Sequence, residues 1–275
     1  MDLVYDTGSA WLVVESVTCE TCLGTDYDHS TSSTFKKLTE SESQLTYGSA
    51  QIQGYTASDK ANIQSDLGLS DFIFFDVVRQ QGFGEYMDGI LGMARTYYTG
   101  AFSSGPVYHD TLFTKKEITQ NVFGFYLGNE DEDSVVQIGS FSNSYMRKPS
   151  ELVWLELTYN YFWYDTCDAY RVGDSDAGLS YDAQPVIFDT GTTYAYIPSV
   201  LYPTFVKKIF KGQKHAVVEG YYVMNSADID DFPSIWLHIA DYWFEMTPKY
   251  YFRPIEPFKY EGKTYDSLLA MSSGS

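Results

Sequence analysis

Short apolar runs broken by Gly, Ser, Asp and Pro recur along the 275-residue chain, and few stretches are long enough to sustain a helical stripe. The first run, Leu3-Val4-Tyr5, ends in Asp6-Thr7-Gly8-Ser9, and the pattern predicts a strand continuing through Leu12 and Val14. Gln44-Leu45-Thr46-Tyr47 and Ala50 to Tyr55 flank Gly48-Ser49, a spacing that predicts a hairpin. Phe72-Ile73-Phe74-Phe75 with Val77-Val78 reads as a buried strand, and 121–127 and 134–139 as strands joined across the acidic turn 130–133. Residues 152–157 and 161–164 restart β patterning. Helices are predicted only at 109–118 and 199–211, the second with Ser199 as cap and Leu201, Phe205, Ile209 and Phe210 on one face. Residues 25–39, rich in Asp, Ser and Thr, read as a surface loop. The break at 143–150, containing Pro149, divides the chain into 1–148 and 149–275. The class expected is all-β with a few short helices.

The strongest signal is a repetition. Pro185-Val186-Ile187-Phe188-Asp189-Thr190-Gly191-Thr192 restates Leu3-Val4-Tyr5-Asp6-Thr7-Gly8-Ser9: an apolar run, then Asp-Thr-Gly, then a hydroxyl residue. One Asp-Thr-Gly arises by accident in about one such chain in ten or twenty, and two in matching settings far more rarely. A single aspartate at a strand end is an ordinary turn residue, its carboxylate held by backbone N–H groups and hydroxyls. Two brought together by a pseudo-twofold axis cannot both ionise cheaply, so they share a proton and act as an acid and a base.

These residues resemble the pepsin-like aspartic proteases, whose two lobes each carry a hydrophobic-Asp-Thr-Gly-Ser/Thr signature, and whose catalytic pair is a standard case of this pKa logic. Three further stretches fall in register with that family: Ser32-Ser33-Thr34-Phe35, the Tyr47-Gly48 hairpin, and Asp88-Gly89-Ile90-Leu91-Gly92. The resemblance implies a bilobal fold of two β-barrel-like lobes related by a pseudo-twofold, and an endopeptidase using water activated by two aspartates at acidic pH. Asp6 and Asp189 would be catalytic. Thr7 and Thr190 would knit the turns together, Gly8 and Gly191 would allow close backbone approach, and Ser9 and Thr192 would bond the outer carboxylate oxygens. Tyr47, Gly48 and Ser49 would form a flap over an extended polypeptide. The strand containing Ile90-Leu91-Gly92 would run beneath the first turn.

The family commonly places a Trp where Val13 stands, bracing the flap tyrosine; here the nearby indole is Trp11. The chain resembles a member truncated at both ends, since only five residues precede Asp6 and nothing after Tyr250 repeats Ile90-Leu91-Gly92. A catalytically inactive peptide-binding or inhibitor-like module is the alternative reading.

Composition narrows the partners. The 37 acidic against 18 basic residues give a net charge of −19, which argues against nucleic acid or an anionic membrane. No apolar run is long enough for a membrane span, and the N-terminus lacks a secretory-signal pattern. His-Glu-x-x-His and Gly-x-Ser-x-Gly are absent, and the four histidines, His29, His109, His215 and His238, are scattered. Cys19-x-x-Cys22 could be a redox pair, half a zinc site or a small disulfide loop. Zinc would need ligands that no second Cys pair or His-x-x-x-His supplies, so no metal or other cofactor is expected. The resemblance implies a disulfide here, with two free thiols as the alternative; Cys167 reads as a buried apolar residue. It further implies a monomer in a secretory, lysosome-like, vacuolar or extracellular compartment.

Overall fold

The computed structural model describes residues 1–24, 27–48, 50–83, 87–95, 105–128, 132–146, 148–149, 152–157, 162–173 and 183–274. It comprises two compact units: Met1–Trp163 with Ile187–Gly191, and Tyr164–Val186 with Thr192–Ser275. Strands dominate both, and the helices are short.

The first unit is built on a seven-stranded sheet of β1 (Leu3–Asp6), β2 (Leu12–Glu15), β3 (Lys36–Lys37), β4 (Ser43–Tyr47), β5 (Ala50–Gln64), β6 (Leu67–Gln81) and β7 (Gly89–Gly92). Its order is β1-β7-β2-β6-β5-β3, with β4 also on β5. The period of two along a strand divides its side chains between two cores. Leu12, Val14, Phe72, Phe74 and Leu91 enter one, capped by Tyr108 and Leu112 of the helix α1 (Tyr108–Thr114). Val13, Phe75, Val77 and Ile90 enter the other with Ile52. Because both faces are covered, β2 and β7 are buried throughout, which is why Leu12-Val13-Val14 and Ile90-Leu91 read as consecutive apolar residues and not as alternation. Each such side chain contributes about 1.5–3 kcal/mol on burial. A two-stranded sheet pairs β8 (Phe123–Tyr126) with β9 (Val135–Ile138), in the antiparallel arrangement expected of the two runs.

The second unit holds a sheet of β10 (Tyr164–Val172), β11 (Gln184–Ile187), β15 (Ile235–Ile239) and β16 (Tyr242–Met246) in the order β11-β10-β15-β16. Another runs β13 (Ala216–Val218), β14 (Tyr221–Met224), β18 (Lys263–Leu269) and β17 (Phe252–Tyr260), and β12 (Ala195–Pro198) pairs in parallel with β19 (Met271–Gly274). Helix α2 (Tyr202–Ile209) buries Leu201, Phe205, Ile209 and Phe210, the face read from the sequence. A last turn of helix, α3 (Pro248–Tyr251), leads into β17.

Four expectations need correction. The strand from Leu3 through Val14 is interrupted at 7–11, because the backbone turns back so that Gly8 N–H and the Ser9 hydroxyl reach the Asp6 carboxylate. Ser199 does not cap α2; the helix starts after Leu201, without a side-chain cap but with Pro203 pre-setting the first turn. The helix predicted over 109–118 is shorter, ending at Thr114. Residues 152–157 alternate in exposure but join no ladder among the described residues. The acidic turn falls partly, at 130–131, outside the described residues.

Candidate active site

Asp6 ends β1, a strand held in parallel register by β7, with Leu3 opposite Gly89 and Asp6 opposite Gly92. The turn that follows hangs on the residues leaving β7: Met93 N–H donates to the Asp6 carbonyl at 2.7 Å, and Ala94 N–H to the Ser9 carbonyl at 2.8 Å. Asp6 is 7% exposed. Its Oδ1 accepts the Gly8 N–H at 2.8 Å and its Oδ2 accepts the Ser9 hydroxyl. A strand end, a turn and a supporting strand thus fix one carboxylate in a buried position.

The Asp189 turn lies against the first one, within the same compact unit. Gly191 N–H donates to Asp189 Oδ1 at 2.8 Å, the same internal bond that Gly8 makes. Between the turns the two threonines exchange hydrogen bonds. Thr190 Oγ1 accepts the Thr7 N–H at 3.1 Å, and Thr7 Oγ1 accepts the Thr190 N–H at 2.9 Å. Each hydroxyl in turn donates to the carbonyl just before the opposite aspartate: Thr7 to Phe188 at 2.7 Å, and Thr190 to Tyr5 at 2.5 Å. That exchange is a local twofold written in four bonds.

The glycines lie where the turns meet. A methyl on Gly8 would sit 2.5 Å from Asp189 Oδ2, and one on Gly191 would overlap Asp6 Oδ1. Each glycine therefore lies against the opposing carboxylate, where any side chain would force the pair apart. The Asp6 pKa is pushed up to about 6. Burial is the largest cause and the neighbouring Asp189 carboxyl adds to it, while the bonds from Ser9 and Gly8 oppose it. Two carboxyl groups brought within hydrogen-bond reach, one of them buried, would hold one proton between them while the other site stays available as a base.

Comparison with known proteins meets this geometry. The family model described as eukaryotic aspartyl protease matches residues 1–260. The chain belongs to this family. It is 30% identical over 257 residues to the vacuolar aspartic protease of Candida albicans, covering 90% of this chain and 58% of that protein. Pepsin A of Sus scrofa is 28% identical and cathepsin D of Chionodraco hamatus 29%, with 64% and 63% of their lengths covered. The chain thus spans about six-tenths of the length of the curated relatives it matches.

In this aspartyl protease chain the remaining predicted site residues fall as follows. Tyr47 ends β4, directly opposite Ala50 across the hairpin, and Gly48 takes the positive φ of 40° that the turn requires. The Tyr47 hydroxyl lies near the Ser9 side chain and the Asp6 charge; burial, more than that charge, drives its pKa well upward. Its ring packs edge-on against Phe83 at 5.7 Å. Ser49 lies outside the described residues. Thr192, in the position matching Ser9, is exposed and belongs to the second unit. Cys19 and Cys22 are joined in a disulfide, and Cys167 is free and buried. Val13 is fully buried, while Trp11 meets Phe75 edge-on at 5.9 Å in the cluster that also holds Tyr47 and Phe83.

Two residues escaped the sequence reading. Phe83 braces Tyr47, and its only sequence signal is a lone aromatic after Gly82. Trp163 contacts the surroundings of both aspartates, yet reads in sequence as one more β-prone aromatic. Among the described residues, no group of three or more His, Cys, Asp and Glu is arranged to hold a metal. No described helix is long and apolar enough to cross a membrane.

Proposed function

We propose that this protein is an aspartic endopeptidase in which Asp6 and Asp189 activate a water molecule between them. The ionised carboxylate takes a proton from the water as its oxygen attacks the scissile carbonyl carbon, and the protonated carboxyl donates its proton to the carbonyl oxygen. The resulting gem-diol breaks its C–N bond with a proton passing to the leaving nitrogen, so one water is consumed and an acid and an amine are released. The protein itself is never acylated. The observation that carries this reading is the reciprocal threonine exchange, which sets each turn's glycine against the opposite turn's carboxyl group.

Thr192 closes onto Asp189 as Ser9 does onto Asp6, in a molecule whose lobes are 1–148 and 149–275. Tyr47, Gly48 and Ser49 form a flap over an extended polypeptide, whose backbone is bound by edge-strand hydrogen bonds. The protein works as a monomer, without nucleic acid, metal or organic cofactor. The vacuolar proteases among its relatives support a vacuole-like compartment, and the family resemblance extends this to a lysosome-like or extracellular one.

The test is cleavage of an unfolded polypeptide in acidic buffer by the chain, beside Asp6→Asn and Asp189→Asn. Cleavage by the unmutated chain, abolished in both variants, is the expected result. Saturable peptide binding without cleavage would favour the peptide-binding alternative.

A further inference from the structure

We propose that Trp163 is a positioning residue for the aspartate pair, fixing the base of the Asp189 turn relative to the Asp6 turn through hydrogen bonds at its indole N–H and its own carbonyl. Its indole Nε1–H donates to the Met93 carbonyl at 2.8 Å, and its own carbonyl accepts the Phe188 N–H at 2.9 Å. Met93 is the residue whose N–H holds the Asp6 carbonyl, and Phe188 immediately precedes Asp189. A single residue therefore completes a path from one aspartate to the other: Asp6 carbonyl, Met93 peptide, Trp163, Phe188, Asp189.

This path differs from the threonine exchange in what it restrains. Thr7 and Thr190 hold the tip of the second turn, whereas Trp163 holds its point of entry. The turn needs such a restraint, because Ile187 and Phe188 are each 46% exposed and are not fixed by burial. Tryptophan suits this role because its indole nitrogen is a donor only, so the bond to Met93 has a fixed sense, and the rigid ring transmits position. The ring is itself seated edge-on against Phe123 at 5.1 Å.

The kinetic consequence rests on the proposed hydrolytic role of the pair; the geometric one does not. The decisive experiment is a ¹³C-carboxyl NMR titration of Asp6 in three proteins: the unmutated chain, Trp163→Phe and Phe123→Leu. Phe123→Leu loosens the packing of the indole but leaves both hydrogen bonds, so it controls for general destabilisation. A chain carrying 3-benzothienylalanine at 163, which keeps the ring shape and lacks the N–H, serves should Trp163→Phe not fold.

Loss of the N–H lets the carboxyl groups drift apart, so Asp6 should titrate at lower pH in Trp163→Phe and unchanged in Phe123→Leu. Where cleavage is measurable, kcat in Trp163→Phe should fall at least about tenfold with KM within about twofold, since small misplacements of reacting groups are costly. An Asp6 titration unmoved in Trp163→Phe, or moved equally by Phe123→Leu, overturns the proposal. Absence of cleavage by the unmutated chain would count against the hydrolytic reading alone, because the titration still decides the role of Trp163.

Discussion

Two turns of nearly the same sequence meet in this molecule, and they are supported in opposite ways. The Asp6 turn is rooted in the sheet: Asp6 and Thr7 are buried, β7 lies alongside, and Met93 and Ala94 bond its carbonyls. Around the second turn Ile187, Phe188, Thr190 and Gly191 are exposed, and its described hydrogen bonds run to Thr7, Tyr5 and Trp163 or stay within the turn. The first turn is thus held by the fold, and the second largely by the first. The motif alone does not make an aspartate special; its surroundings determine which carboxyl group is desolvated and which stays close to water.

The glycines give the sharpest test of this asymmetry. Gly8→Ala presses on Asp189, whose turn can yield, while Gly191→Ala presses on Asp6, which cannot. Both should reduce cleavage, Gly191→Ala by at least about a hundredfold and Gly8→Ala by clearly less, as compared in kcat/KM. Equal losses would mean that the second turn is as rigid as the first.

The next effect is on stability against pH, and it belongs to the first turn's side of the unit. Glu15 on β2 and Asp76 on β6 are buried, and like Asp6 each has its pKa raised to about 6, chiefly by burial. Glu15 accepts the Gly24 N–H at 3.0 Å; Asp76 has His29 Nδ1 at 3.4 Å and the charge of Lys37 nearby, both favouring its ionised form. Since the folded pKa lies above the unfolded one, the fold holds extra protons between roughly pH 4 and 6. Stability is therefore greatest below that window and falls as pH rises through it. Urea unfolding at pH 4 and pH 7 should show this fall, and Asp76→Asn and Glu15→Gln should each reduce it by on the order of 2 kcal/mol.

The threonines come third. Thr7→Val strips the partner from two groups of the second turn, Thr190 N–H and the Phe188 carbonyl, next to a buried side chain. Thr190→Val does the same to Thr7 N–H and the Tyr5 carbonyl from an exposed side. Denaturant midpoints should place Thr7→Val at about 2–3 kcal/mol of destabilisation and Thr190→Val nearer 1. The smallest effect is expected for Phe188→Ser: at a side chain 46% exposed, stability should change by no more than about 1 kcal/mol, and a larger loss would show the second turn to be packed after all.

Much of this asymmetry was hidden in the sequence, though the parts were not. Asp-Thr-Gly, Tyr47-Gly48 and Asp88-Gly89-Ile90-Leu91-Gly92 were legible because each is local: a strand end, a turn or a doubly buried strand leaves its mark in adjacent residues. The interruption at 7–11 was not, because apolar Trp11, Leu12, Val13 and Val14 mask a backbone that turns back to satisfy one carboxylate. Ser199 is a good cap by residue type, but Pro203 moves the helix start past it. Phe83 and Trp163 acquire their roles only from residues far away in the chain, Tyr47 in one case and Met93 in the other. Residues 152–157 carry a strand's alternation without a strand to bond among the described residues, which no local pattern discloses.

The central claim is that two aspartates far apart in sequence act as a single titrating pair. It is tested most directly by following the Asp6 carboxyl by ¹³C NMR in the unmutated chain and in Asp189→Asn. The account predicts a midpoint of about 6 that moves measurably lower when the Asp189 charge is removed. A midpoint identical in the two proteins would contradict it.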